Sequence, residues 1–428
     1  MKKLSDNCLL HIFNYLGLLD KISVACVSHR FAGVIYQLIG KEVVDLSRME
    51  ERTPRADLTQ FLSILGKFIR RVKIHPNYSS HPPFPHYCFS TFVKHCSSSN
   101  LEEVDISWGC DRFECGMLDS FLENCTKLRV ATLRWFRPNE ERQFRPLHGV
   151  RSLYINGSPI SGLCLLGARN LVDLSLPFCS QIDPKYAKCI LENNKKLKRL
   201  NIRSCDSLTS ITIGQALGKH QNIERISVDI RFFEFPIVLP ELPHLKQIAI
   251  FNDDSFQSQH NPVIIDYLYK NLLKQLCHNH SRALESLELH SWDLSFMTDW
   301  PPFQSLTNLK LINARYLTDG LLKKISETCS LLERADLRES VNHVTDEGLL
   351  DFVRASTNLS YLNLGCNARY SQKFIFKIGE VRRYMGITDP LTIVYNRWMF
   401  LQERLTQHDD PTKLLRLISS PRPNYLNC

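Results

Sequence analysis

Apolar positions along the chain repeat in one figure, Leu-x-x-Leu-x-Leu, with Ile, Val or Ala standing in for Leu. Clear copies run through Leu101-Val104-Ile106, Val150-Leu153-Ile155, Leu171-Leu174-Leu176, Leu197-Leu200-Ile202 and Ile223-Ile226-Val228. They continue at Leu245-Ile248-Ile250, Leu284-Leu287-Leu289, Leu332-Ala335-Leu337 and Leu359-Leu362-Leu364. Weaker copies stand at Ile69-Val72-Ile74, Leu128-Ala131-Leu133 and Leu309-Ile312-Ala314. From Leu101 the starts are 27, 22, 21, 26, 26, 22, 39, 25, 23 and 27 residues apart. Alternating apolar positions over so short a stretch predict a strand that buries one face. Repetition at this period predicts that each strand stacks parallel on its neighbour while the rest of the repeat returns along the outside. The pattern therefore predicts an α/β solenoid.

Several outer segments carry helix starts, among them Thr318-Asp319-Gly320-Leu321 and Thr345-Asp346-Glu347-Gly348-Leu349, where a capping residue precedes an apolar-periodic run. Cysteines keep repeat positions too. Cys125 and Cys329 stand three residues before a repeat's first leucine, and Cys110, Cys179, Cys205 and Cys366 follow a strand. This arrangement resembles the cysteine-containing subclass of leucine-rich repeats, common in F-box proteins. The match implies about 11–12 repeats over 41–366, strands on a concave face and helices on the convex one. The long interval after Leu245 is assigned to an acidic, polar loop near 251–262. Beyond Cys366 the figure is lost, and 367–428 is expected to form a helical cap over the last repeat, with helices at 374–385, 393–405 and 414–418.

The first 40 residues do not follow the repeat. Leu9, Ile12, Phe13 and Leu16 share one face at helical spacing. Ser5 or Asp6 can cap a first helix, Gly17 can end it, and Asp20 and Ser28 can cap two more. So small a helical unit leaves apolar faces for a partner. The run Leu4-Ser5-Asp6-x-x-Leu9-x-x-Ile12-Phe13-x-x-Leu16, followed by Asp20 and Val27-Ser28, resembles the F-box. Ser5 stands where that family has proline, Ser28 where it has cysteine, and Phe31 where it has tryptophan. The resemblance implies contact with a Skp-type adaptor, and through it a cullin, by Leu4, Ser5, Leu9, Ile12, Phe13 and Leu16. An F-box at 1–40 followed by leucine-rich repeats resembles the substrate receptors of Skp–cullin–F-box ubiquitin ligases. Such receptors are non-catalytic and act by holding a protein substrate near the ligase's other subunits. The competing reading is a repeat scaffold not engaged with a ligase.

Residues alternating with the buried leucines should face out of the sheet. They bring Arg199, Arg203 and Arg225 together as one basic group and Arg315, Arg334 and Arg338 as another. Guanidinium groups on adjacent strands suit carboxylate or phosphate, so the substrate is expected to carry an acidic or phosphorylated segment. Trp108 and Trp135 follow two early strands and are candidate anchors.

Composition narrows the class. The hydrophobic fraction is 43% and the charged fraction 23%, as in folded proteins. Net charge is +9 without a dense Lys/Arg run, which does not point to nucleic acid. The cysteines are odd in number, scattered and without a CxxC pair, which reads as reduced thiols in cytoplasm or nucleus. Asp6, Asn7, His11 and Asn14 interrupt the N-terminal apolar run, against a signal peptide, and no run is long enough to span a membrane. No cofactor or metal is expected. Gly214-Gln-Ala-Leu-Gly218-Lys219 falls one residue short of a phosphate-binding loop. His86, Cys88, His95 and Cys96 fit no closed zinc site, and His278 and His280 are read as solvent-facing on a helix.

Overall fold

The computed structural model describes residues 4–48, 54–75, 84–96, 98–107, 120–135, 145–233, 242–252, 262–365, 372–396 and 414–420. They fall into two compact units, Met1–Leu208 and Thr209–Cys428.

The first unit opens with three helices, α1 (Asp6–Asn14), α2 (Leu18–Ala25) and α3 (His29–Lys41). Ser5 caps α1 by accepting from Cys8 N at 3.3 Å, and Ser28 caps α3 by accepting from Phe31 N at 3.2 Å. Helix α2 departs from expectation. Its N-cap is Gly17, which makes no side-chain cap bond, and Asp20 lies inside its first turn. Gly17 thus opens a helix instead of closing one, because α1 already ends at Tyr15.

Helix α3 runs almost directly into the first strand. Strands β1 (Val43–Asp45), β2 (Arg71–Ile74), β3 (Glu103–Ser107), β4 (Val130–Arg134), β5 (Ser152–Asn156), β6 (Asp173–Ser175) and β7 (Arg199–Asn201) are paired in parallel and in chain order. Helices α4 (Arg55–Leu65), α5 (Phe84–His95) and α6 (Pro184–Asn193) occupy the return segments. Register follows the apolar figure: Val44, Val72, Val104, Ala131, Leu153, Leu174 and Leu200 form one row, each at most 3% exposed. Each larger side chain so buried contributes roughly 1.5–3 kcal/mol.

The second unit continues the same plan. Helices α7 (Ser210–Gly218), α8 (Pro262–His280), α9 (Asp319–Thr328), α10 (Asp346–Ala355) and α11 (Gln372–Tyr384) return between strands. The strands are β8 (Arg225–Asp229), β9 (Gln247–Phe251), β10 (Ser286–His290), β11 (Asn308–Ile312), β12 (Arg334–Asp336), β13 (Tyr361–Gly365), β14 (Leu391–Asn396) and β15 (Leu415–Ser420). These eight pair in parallel with one another in chain order. Thr318 and Thr345 cap α9 and α10 as the sequence indicates, accepting from Leu321 N and Gly348 N.

Four expectations are corrected here. Strand β11 buries Leu309 and Leu311, which pair with Leu287 and Leu289 of β10. Its figure is therefore Leu306-Leu309-Leu311, three residues ahead of the copy read as Leu309-Ile312-Ala314. Two apolar triplets overlap in this stretch, and pairing selects the one that matches its neighbours. Second, the tail is not a purely helical cap. Among the described residues of the tail only α11 is a helix as read; 391–396 and 415–420 are strands that extend the ladder, and 397–413 lie outside the described residues. Leu391, Ile393 and Tyr395 alternate, and β-branched neighbours favour the pleated form.

Third, the long interval after Leu245 is filled mainly by α8, a helix of 19 residues. Of the supposed loop, Phe251 ends β9 and Asn252 is buried, donating to Tyr269 Oη at 2.8 Å; residues 253–261 lie outside the described residues. Fourth, His280 is 5% exposed, and burial lowers its pKa. His278 alone faces solvent.

A left-handed residue ends strand after strand, two positions past the last buried apolar residue. Trp135, Gly157, Phe178, Ser204, Ser291, Asn313 and Glu339 all take φ between 53° and 62°. This turn swings the chain out of the sheet, and a buried small group closes it at the next position in Ser158, Cys179, Cys205 and Ser340. Ser340 Oγ donates to Leu311 O at 2.7 Å and accepts from Ala314 N at 2.8 Å. Cys205 Sγ donates to Leu176 O at 3.0 Å.

Candidate functional site

The N-terminal helices divide their apolar residues sharply. Leu9, Phe13 and Ile22 are at most 7% exposed, and Phe13 meets Phe31 edge-on with ring centroids 5.2 Å apart. Leu4, Ile12, Tyr15, Leu19 and Val27 are exposed, Tyr15 to 77% and Val27 to 68%. So small a unit must spend its inward positions on its own core. Of the six residues expected to meet an adaptor, Leu9 and Phe13 are internal, Leu4, Ser5 and Ile12 are surface residues and Leu16 is half-buried. Ser5 is exposed, with its hydroxyl engaged as the α1 cap. Tyr15, Leu19 and Val27 escaped the sequence reading, although Ile12, Tyr15 and Leu19 keep a helical spacing.

Arg30 anchors the chain start by pairing with Asp6 at 2.7 Å and donating to Leu4 O. Lys21, almost fully buried, is neutralised by Glu42 at 2.7 Å, which ties α2 to the residue that follows α3. Removing Glu42 would strand a buried cation.

On the open face of the first unit's sheet, cations and carboxylates alternate across strands. Arg71 lies 3.9 Å from Glu103 and Lys73 lies 4.0 Å from Asp45. Asp105 Oδ1 accepts from Arg134 Nη1 and lies against His75 Nε2, each at 2.8 Å. Burial pushes the Asp105 carboxyl up, but the His75 hydrogen bond and the charges of His75, Arg134 and Lys73 outweigh it and hold it below the usual range.

Arg199 does not present a free guanidinium. It binds Asp173 in a two-point pair, through Nε to Oδ1 and through Nη2 to Oδ2, and Ser152 Oγ donates to the same carboxylate. Arg203 lies over the Phe178 ring at 5.1 Å, and Arg225 is an exposed residue of the second unit. The second basic group is also altered. Arg315 falls three residues beyond β11 once the register is corrected, so it is not an outward strand position; Lys310 is. Arg338 Nε donates to Asp336 Oδ1 at 3.0 Å, and Arg334 lies 4.1 Å over the Tyr361 ring. Arg199, Arg203 and Arg334 thus meet side chains of a neighbouring repeat, because a parallel ladder stacks outward positions on one another, while Arg338 pairs within its own repeat.

Trp108 lies outside the described residues. Trp135 is 52% exposed at the end of β4, with its ring against Gly157. A Cβ on Gly157 would come within 2.8 Å of that ring, so glycine is needed there for space as well as for its φ of 62°. Phe178, at the equivalent position after β6, is 45% exposed. Two aromatic side chains thus mark one edge of the sheet, with Arg203 beside the second.

Gly214 and Gly218 lie within the continuous helix α7. Among the described residues no group of three or more His, Cys, Asp or Glu is placed to hold a metal ion. Burial raises the thiol of Cys125 to about 12 and those of Cys179 and Cys329 to about 11, so all three stay protonated. Among the described residues no helix is long and apolar enough to cross a membrane.

Residues 1–39 match the F-box domain family. No curated protein matches the chain. Among solved structures, similar chains occur in a Rad7 and Elc1 complex of yeast, at 14% identity and a TM-score of 0.41 over 96% of this chain and 92% of that one. A TLR13–ssRNA13 complex is similar at 13% identity and a TM-score of 0.40 over 89% of this chain and 55% of that one. Likenesses so remote carry no correspondence of sites or ligands. The domain match and the parallel ladder together make this chain an F-box plus repeat protein, a short helical F-box followed by a leucine-rich-repeat type solenoid.

Proposed function

We propose that the chain is the substrate-recognition subunit of a Skp–cullin–F-box ubiquitin ligase, working in cytoplasm or nucleus and performing no chemistry itself. The observation that carries this reading is the exposed apolar set Leu4, Ile12, Tyr15, Leu19 and Val27 within the matched domain. A helical unit of this size has no internal use for those side chains, whereas a helical adaptor would cover them. The solenoid then holds a protein substrate at a fixed place, and positioning supplies effective concentration.

Substrate contact is assigned to Trp135, Phe178 and Arg203. Aromatic anchors flanked by a guanidinium are the residue types that dominate interface energetics. The acidic-degron reading loses weight on the Arg199 side, since Asp173 already occupies that guanidinium.

Capture of a purified Skp-type adaptor by the full chain tests the proposal. Binding should be weakened at least tenfold by Ile12→Asp or Val27→Asp and left intact by Trp135→Ala with Phe178→Ala, which should instead abolish substrate retention. A full chain that captures no adaptor would leave the repeat scaffold as the surviving reading, with Ser5 in place of the family's proline as the first residue to restore.

A further inference from the structure

Between α3 and the sheet of the first unit lies a cavity of about 470 Å³. Its walls come from distant parts of the sequence. Helix α3 supplies Tyr36 and Gly40, one turn apart, with Lys41 beside them. The facing wall is built by residues flanking the first apolar position of three successive repeats. Lys67, Phe68 and Arg70 surround Ile69, Asn100 and Glu102 surround Leu101, and Lys127 precedes Leu128. Backbone bonds from Glu102 N to Arg70 O and from Arg129 N to Glu102 O, both 2.8 Å, set these rungs side by side. Repeat spacing along the chain becomes ladder spacing of ~4.8 Å in space.

Four cations therefore surround one cavity with a single carboxylate, Glu102, among its lining residues. All four are exposed, and three of them make contacts within the lining. Lys127 Nζ donates to Asn100 Oδ1 at 3.1 Å, and Asn100 Nδ2 donates to Lys67 O at 3.3 Å. Lys67 Nζ lies 5.1 Å from the Phe68 centroid, and Tyr36 stacks on Phe68 at 3.8 Å. Arg70 reaches Glu102 only at 3.5 Å, with its guanidinium still half-exposed. Two arginines of the open sheet face, Arg199 and Arg134, are by contrast neutralised at close range by Asp173 and Asp105. Four clustered cations against one carboxylate repel one another, and an anion between them reduces that repulsion.

We propose that this cavity binds a small ligand carrying clustered phosphate groups. Its volume lies within the roughly 300–1,000 Å³ of small-molecule sites. Its cations span three rungs, ~10 Å, which is too wide for one carboxylate or sulfate. Arginine and lysine are the side chains that recognise phosphate, the first through its fork and the second as a point charge. A ligand here would touch α3 and three repeats at once. It would stiffen the joint between the F-box and the solenoid, an effect independent of which adaptor or substrate the chain binds.

Gly40 offers a test that leaves every charge in place. A Cβ there would meet Phe68 O at 3.5 Å and Arg70 Nε at 3.7 Å, ordinary contacts, so a methionine side chain would extend into the cavity without moving the backbone. Titration calorimetry of the full chain with inorganic tripolyphosphate should show one site. Affinity should fall at least tenfold in Gly40→Met and in the triple variant Lys67→Gln, Arg70→Gln, Lys127→Gln. A control that removes the same charge elsewhere, Lys195→Gln, Lys196→Gln, Lys198→Gln, should bind as the parent does. Circular dichroism melts confirm that each variant is folded. Absence of binding, parental affinity in Gly40→Met, or an equal loss in the control would overturn the proposal. Phosphatidylcholine vesicles with and without phosphatidylinositol bisphosphate separate the two sources of such a ligand. Vesicle capture that Gly40→Met abolishes assigns the site to a lipid headgroup; tripolyphosphate binding without capture assigns it to a soluble compound.

Discussion

Single residues here are governed by two local rules, the left-handed turn after each strand and the burial of the cysteines. Glu339 takes φ of 60° although it is exposed and carries a side chain. An L-residue in that region is disfavoured by roughly 1–2 kcal/mol, partly offset in glycine by its greater unfolded freedom. Glu339→Gly should therefore raise stability by about 0.5–1 kcal/mol in urea unfolding. The thiols divide by environment. Cys8 and Cys26 are exposed, whereas Cys125, Cys179 and Cys329 are buried with raised pKa values. Iodoacetamide under native conditions at pH 8 should label Cys8 and Cys26 first, with the three buried sites modified only on unfolding, as read by peptide mass spectrometry. The sequence placed these cysteines at repeat positions, which is why their burial was legible. Exposure of Tyr15 and Val27 was not, since an apolar residue type does not reveal whether a small unit has room for it.

At the scale of elements, register is what matters. The overlap of two apolar triplets around Leu309 admits two strands, and only pairing with β10 selects Leu309 and Leu311 as the inward pair. Leu311→Ala should cost roughly 2–5 kcal/mol, because it opens a cavity in a row that is fully buried. Ile312→Ala, half-exposed on the opposite face, should cost less than about 1 kcal/mol. Chemical denaturation of the two variants distinguishes the registers directly, since the alternative register reverses the order. The same reasoning covers the tail. Strands β14 and β15 pair over Leu391↔Leu415 and Ile393↔Leu417, and α11 buries Phe374, Ile375 and Ile378. Helical spacing and strand alternation coexist in such short apolar runs, so local pattern could not choose between them; the waiting edge of β13 could.

Stability as a property of the whole chain depends on carboxylates set into the sheet. Burial pushes the Glu288 carboxyl up, yet hydrogen bonds from His290 and Lys310 prevail and hold it at about 2, against an ordinary 4.5. A depressed folded-state pKa contributes stability that is present above the unfolded value and lost as pH falls through the folded one. The parent should therefore exceed Glu288→Gln in stability at neutral pH, and the difference should shrink between pH 4.5 and about 2, as read by urea melts across that range. Asp105, lowered by His75 and Arg134, acts in the same direction within the first unit.

The repeating figure, its period, the capping threonines and the F-box motif are properties of the sequence alone, because each is a local relation among residues a few positions apart. They were enough to determine a helical start, a parallel ladder and the inward face of most strands, though not of β1, β11, β14 and β15. Which outward charges remain available was decided only by tertiary structure. Arg199 and Asp173 are 26 positions apart in the chain and yet form one two-point pair, because stacked repeats bring equivalent positions together. The same stacking gathers Lys67, Arg70 and Lys127 around one cavity, opposite Lys41 of α3. Periodicity says where the leucines go; the packing of one repeat on the next decides which charges meet.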